Sequence, residues 1–147
     1  MSNPNTTITP DEQRRLEEIA MKKAELRSKI ANLERKLTNT QAKRISLIHE
    51  KEILEQCISD WASQKYLYES NEIVYEIVIT NVFEGKGAEQ IKTDVEQCII
   101  EMDGNNSQVN ELKDDVAAQI SRLNDYETCL RGDIAGTQAM LNQLGGI

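Results

Sequence analysis

The two prolines of the chain both precede residue 11, so nothing later loses a backbone donor in the way that breaks a helix. Aromatic residues make up only 4% of the sequence, too few for a broad globular core at this length. There is one histidine, His49, and the three cysteines Cys57, Cys98 and Cys129 have no metal-ligand spacing. No zinc site is expected, and reduced thiols are, with Cys98 packed in a helix seam. No run approaches the about 20 apolar residues of a membrane span. The first ten residues are polar, and no cleavable signal peptide is read there. No nucleophile, base and oxyanion constellation is recognisable, and Gly85-Lys86-Gly87 lacks the rest of a phosphate loop. Neither catalysis nor a cofactor is expected.

What is present is charge and a seven-residue apolar repeat. Charged residues make up 29% of the chain, at a net −8. Residues 1–60 hold 11 basic and 10 acidic groups, and residues 61–147 hold 6 and 15. The acidic second part argues against nucleic acid as a partner.

The organising stretch is Val82-Phe83-Glu84-Gly85-Lys86-Gly87-Ala88, where two glycines sit between two heptad-patterned segments. Before it, the seam positions run Leu16, Ile19, Lys23, Leu26, Ile30, Leu33, Leu37, Thr40, Arg44, Leu47, Lys51, Leu54, Ile58, Trp61, Lys65 and Tyr68, and continue through Tyr75 and Ile79. After it, they run Ile91, Val95, Cys98, Met102, Asn105, Val109, Leu112, Val116, Gln119, Leu123, Tyr126, Leu130, Asp133, Thr137, Met140 and Leu144. Folding the chain at Gly85 sets Leu26 against Leu144, Trp61 against Val109, Arg44 against the ring of Tyr126 and Lys65 against Asn105. Leu37 against Asp133 and Leu33 against Thr137 are mismatched.

A start signal agrees with the repeat. Thr9-Pro10-Asp11-Glu12 reads as an N-cap, a proline at the first helical position and a capping-box glutamate. The expected organisation is a disordered tail over 1–8, then one helical domain over 9–147. Its first helix covers about 10–82, its turn about 83–87 and its second helix about 88–144. Two places stay open: residues 73–83, rich in β-branched side chains, allow a β tip, and Asp103-Gly104-Asn105-Asn106 allows a break in the second helix.

Two surface features point to partners. Ile99, Ile120, Ile134 and Leu141 lie just outside the second-arm seam, with Ile48 of the first arm beside Ile120, and make the apolar stripe wider than one helix covers. Lys22, Lys29, Lys36 and Lys43 recur every seven residues, and none has an acidic counterpart across the fold-back. They form either a solvated ladder or a stripe that meets acidic residues of another chain.

A helix, the turn Phe83-Glu84-Gly85 and a second helix together resemble the WXG-type helical hairpins of Gram-positive type VII secretion, in which Trp-x-Gly joins two helices. The run Phe83-Glu84-Gly85-Lys86-Gly87-Ala88-Glu89-Gln90-Ile91 is similar to the longer YwqH-like relatives encoded beside LXG toxins. Phe83 stands where the motif has Trp. The Tyr-x-x-x-Asp/Glu export signal is not met on the second arm, where Tyr126 is followed by Leu130. The resemblance implies a targeting or chaperone role, with Phe83 and Gly85 at the tip.

The reading is an all-α, elongated antiparallel two-helix coiled-coil hairpin acting as a non-enzymatic adaptor. Its partner would be the helical amino-terminal domain of an LXG-type toxin, a second small helical protein, or both. The docking residues would be Ile48, Phe83, Gly85, Ile99, Ile120, Ile134, Leu141, Lys29, Lys36 and Lys43. A prefoldin-like holdase and a homodimeric coiled-coil scaffold are the alternatives. The expected location is the cytoplasm, with co-export alongside the partner as a second outcome.

Overall fold

A computed structural model describes residues 7–71 and 86–145. These form two α-helices of 60 residues each, α1 (Pro10–Glu69) and α2 (Lys86–Gly145), and no strand among the described residues. The architecture is an all-α two-helix hairpin. By packing, the chain separates into a unit 1, Met1–Arg44 with Arg122–Ile147, and a unit 2, Ile45–Ser121. In each unit a segment of α1 runs antiparallel to a segment of α2.

The start of α1 follows from its capping box. Thr9 N donates to Glu12 Oε2 and Glu12 N donates to Thr9 Oγ1, both at 3.2 Å. Gln13 N closes the first turn on the Thr9 carbonyl at 3.0 Å. The exchange satisfies two amides that would otherwise lack partners.

α1 then presents the expected seam. In unit 1, Ile19, Lys23, Leu26, Ile30, Leu33, Leu37, Thr40 and Arg44 are half-buried or buried. In unit 2, Leu47, Lys51, Leu54, Ile58, Trp61, Lys65 and Tyr68 are half-buried. Leu16 departs from the pattern and is exposed. Thr40 is tolerated in a buried position because its hydroxyl donates to the Lys36 carbonyl at 2.7 Å, so no polar atom there lacks a bond.

α1 ends earlier than expected. It stops at Glu69, and Ser70 and Asn71 form a turn. Ser70 Oγ donates to the Tyr66 carbonyl at 2.6 Å, and Asn71 N donates to the Tyr68 carbonyl at 3.2 Å, a tighter bond than the helical one. Ser70 keeps its helical bond to the Tyr66 carbonyl at 2.9 Å, and the turn comes at Asn71, a residue type that favours turns over helix interiors. Residues 72–85, including Phe83, Gly85 and the stretch read as helix or β tip, lie outside the described residues. Lys86 and Gly87, expected in the turn, belong to α2.

α2 passes through Asp103-Gly104-Asn105-Asn106 without a break. The Asp103 carboxylate is held by Lys65 of α1 at 2.8 and 3.1 Å, which removes it from competition for its own backbone. Asn110 Nδ2 donates to the Asn106 carbonyl at 3.2 Å.

The seam of α2 corrects the sequence reading by one residue on one of its two rows. The row Val95, Met102, Val109, Val116, Leu123, Leu130, Thr137 and Leu144 is half-buried or buried, as expected. The other row is not Cys98, Asn105, Leu112, Gln119, Tyr126, Asp133 and Met140, all of which are exposed. It is Ile99, Asn106, Lys113, Ile120, Glu127, Ile134 and Leu141. The mismatch of Leu37 with Asp133 thereby disappears, because Ile134 holds the seam position. Thr137 is buried with its hydroxyl donated to the Asp133 carbonyl at 2.7 Å.

Gly104, Gly132 and Gly136 lie inside α2, and a Cβ at each would meet nothing within 4 Å. Glycine in a helix interior costs about 0.5–1 kcal/mol relative to alanine. Each of Gly104→Ala, Gly132→Ala and Gly136→Ala should therefore stabilise the chain by about that amount, read as an upward shift in the thermal transition followed by circular dichroism.

Candidate interaction surface

The polar residues admitted to the seam are its most specific contacts. In unit 1, Arg44 Nε donates to Glu127 Oε1 at 2.9 Å, and Arg131 Nη2 lies 3.8 Å from Glu127 Oε2. Glu127 is only 2% exposed. A carboxylate so enclosed needs its counter-charges, because leaving a buried charge unpaired costs far more than the pair contributes. This contact replaces the expected stacking of Arg44 on Tyr126, whose ring is exposed.

In unit 2, Lys65 Nζ contacts both carboxylate oxygens of Asp103 and lies 3.8 Å from Glu69. Lys65 therefore meets Asp103, where the sequence register had suggested Asn105. The Lys65 pKa is raised above the ordinary value of 10.5, chiefly by the hydrogen bond to Asp103, with the charges of Asp103 and Glu69 adding and burial opposing. Glu55 pairs with Lys51 on its own helix at 3.5 Å.

Most of the seam is half-covered. Among the described residues only Ile30, Leu33 and Leu130 are buried apolar side chains, and no large side chain is fully buried. Each unit has a shallow, partly apolar depression. In unit 1 it is lined by Lys22, Leu26, Met140, Gln143 and Leu144. In unit 2 it is lined by Cys57, Trp61, Met102, Asn105, Asn106 and Val109.

The docking residues read from sequence divide into three groups. Ile48, Ile99 and Ile120 are half-buried in unit 2, and Ile134 and Leu141 are half-buried in unit 1; they belong to the hairpin seam or its edge and form no separate exposed flank. Lys29, Lys36 and Lys43 are exposed on unit 1. Phe83 and Gly85 lie outside the described residues. The apolar row that the sequence reading placed inside is the one left outward, with Ile91 and Leu112 on unit 2 and Tyr126 and Met140 on unit 1 about half exposed. Cys98, expected in the seam, is exposed, as are Cys57 and Cys129, and all three are free thiols.

Among the described residues no group of three or more His, Cys, Asp or Glu side chains is placed to hold a metal ion. No described helix is long and apolar enough to cross a membrane. The chain matches no protein-family model, no curated protein and no solved structure.

Two expected outcomes follow from the ionic contacts. Arg44→Met alone should destabilise the chain by about 2–4 kcal/mol, because Glu127 stays buried beside Arg131 only, and Arg44→Met with Glu127→Leu should recover to within about 1 kcal/mol of the native chain; urea unfolding of the set decides this. For Lys65, a raised folded pKa means that its contribution is complete below the ordinary lysine value and is lost as pH rises through the folded value. Melting temperature measured across the alkaline range should therefore fall more steeply for the native chain than for Lys65→Met.

Proposed function

We propose that the chain is a non-enzymatic helical adaptor that completes its half-covered seam with helices of a partner protein. The observation that carries this reading is the seam itself. Two helices of 60 residues each leave nearly all of their facing apolar side chains half-open. Each such residue is already ordered by one neighbour and gains further from a second, at about 25 cal/mol per Å² of apolar surface removed from water. A third or fourth helix alongside is the arrangement that covers such positions, as in helix bundles.

In unit 2 the positions Ile48 and Ile120 would receive the partner, and in unit 1, taken by itself, the positions Ile134 and Leu141 would do so. The partner's helices would present apolar residues three and four apart. The resemblance at Phe83-Glu84-Gly85 supplies the class of partner: the helical amino-terminal domain of an LXG-type toxin, bundled before type VII export. In that role the adaptor shields apolar surface of the toxin domain and travels with it to the secretion channel.

The test is to mix the purified chain with the helical amino-terminal domain of an LXG-type toxin and measure association by calorimetry and light scattering. A defined complex is expected, weakened at least about tenfold by Ile48→Asp; because Ile48 is itself half-buried, circular dichroism of the variant verifies that its helices are kept. Absence of a complex, or a complex indifferent to Ile48→Asp, would remove this reading.

A further inference from the structure

The two units carry opposite net charge. Unit 1, residues 1–44 and 122–147, holds 12 basic and 9 acidic side chains, net +3; unit 2, residues 45–121, holds 5 and 16, net −11. On each unit part of this charge is laid out as a straight row.

On unit 1 the row is Lys22, Lys29, Lys36 and Lys43 along α1, all exposed. Among the described residues none of the four has a carboxylate within ion-pair distance. Lys22, at one end of the row, lines a shallow depression with Leu26, Met140 and Leu144. On unit 2 the row is Asp94, Glu101, Gln108 and Asp115 along α2, all exposed. Among the described residues, Asp94 accepts a hydrogen bond from the Gln90 amide and Glu101 from the Gln97 amide of their own helix. One turn before Asp94, Glu101 and Asp115 stand Ile91, Cys98 and Leu112, all exposed. Both rows repeat every seven residues and have four rungs, so they have the same pitch and the same length.

We propose that the lysine row of unit 1 docks on the acidic row of unit 2 of a second copy of this chain, forming a two-fold homodimer. Whichever way the facing helices run, three of the four rungs set a lysine against a carboxylate and the fourth sets a lysine against the Gln108 amide. A two-fold dimer is the closed arrangement for two copies that each carry one row of each kind. The exposed Ile91, Cys98 and Leu112 beside the acidic row supply apolar surface to bury, and the charges choose partner and alignment. A foreign acidic protein would answer the lysine row alone and leave the acidic row unmatched. A nucleic acid would be repelled by unit 2. A second copy answers both rows.

The contact lies along the lysine edge and needs no other protein, so its failure and that of the adaptor reading are separable. Sedimentation equilibrium of the full-length chain at about 0.05 M and about 0.5 M salt should show a dimer that weakens at least about tenfold at the higher salt. Two charge-reversed chains extend the test, one with all four lysines changed to Glu and one with Asp94, Glu101 and Asp115 changed to Lys. Each should be monomeric alone, and an equimolar mixture should form a one-to-one heterodimer, since every rung is restored between them. Circular dichroism of each verifies that the helices are kept. If a reversed chain fails to fold, Lys→Gln at the four positions and the salt dependence of the native chain carry the test. A native chain that is monomeric at about 0.1 mM, a dimer insensitive to salt and to reversal, or reversed chains that do not associate on mixing would overturn the proposal.

Discussion

Two helices can cover a side chain lying between them from one direction only, and that constraint governs the molecule. Each seam residue of α1 and α2 is packed on its inner side and open on its outer side, which is why half-burial is the rule in both units and why Ile30, Leu33 and Leu130 stand out as buried. Hydrophobic association therefore holds the helices together without exhausting their apolar surface. A hairpin of this kind remains competent to bind further helices without any rearrangement of its own. The functional reading rests on that residual surface, since the described residues bring no set of side chains together in a way that suggests chemistry.

Apolar contact alone specifies alignment poorly, because a coiled-coil seam looks much the same after sliding by one heptad. The polar residues admitted to the seam remove the ambiguity. Glu127 is enclosed and must lie beside Arg44, and Asp103 must lie within reach of Lys65. A shift by seven residues that set Glu127 beside Leu37 would leave the enclosed carboxylate with Arg131 of its own helix only, which is unfavourable. Thr40 and Thr137 do not contribute to this choice, because each satisfies its hydroxyl within its own helix. They fill space in the seam at no polar cost. The division of labour is thus apolar residues for cohesion, Arg44 with Glu127 for alignment in unit 1, and Lys65 with Asp103 for alignment in unit 2.

The charge left outside the seam is also organised. Exposed ion pairs contribute little to stability, so the lysine row on unit 1 and the acidic row on unit 2 are poorly explained as stabilisers of the helices that carry them. Rows of equal pitch and opposite sign are better suited to selecting what comes alongside. Unit 2 then has an edge at Ile48 and Ile120 where cohesion dominates, and each unit separately carries a charged row where charge dominates.

Much of this architecture was legible before any coordinates. The capping box at Thr9 and Glu12, the seam of α1 from Ile19 to Tyr68, the row from Val95 to Leu144 and the helical character of both arms follow from local propensity and from a seven-residue period, which are properties of the chain alone. The second row of α2 was not legible in this way. Leu112, Tyr126 and Met140 on one side and Ile120, Ile134 and Leu141 on the other are both apolar, both repeat every seven residues and differ by a single position around the helix. Only the tertiary structure could decide between them, because the choice turns on which row brings an enclosed charge to its partner across the helix pair: Glu127 finds Arg44, whereas Asp133 would have faced Leu37.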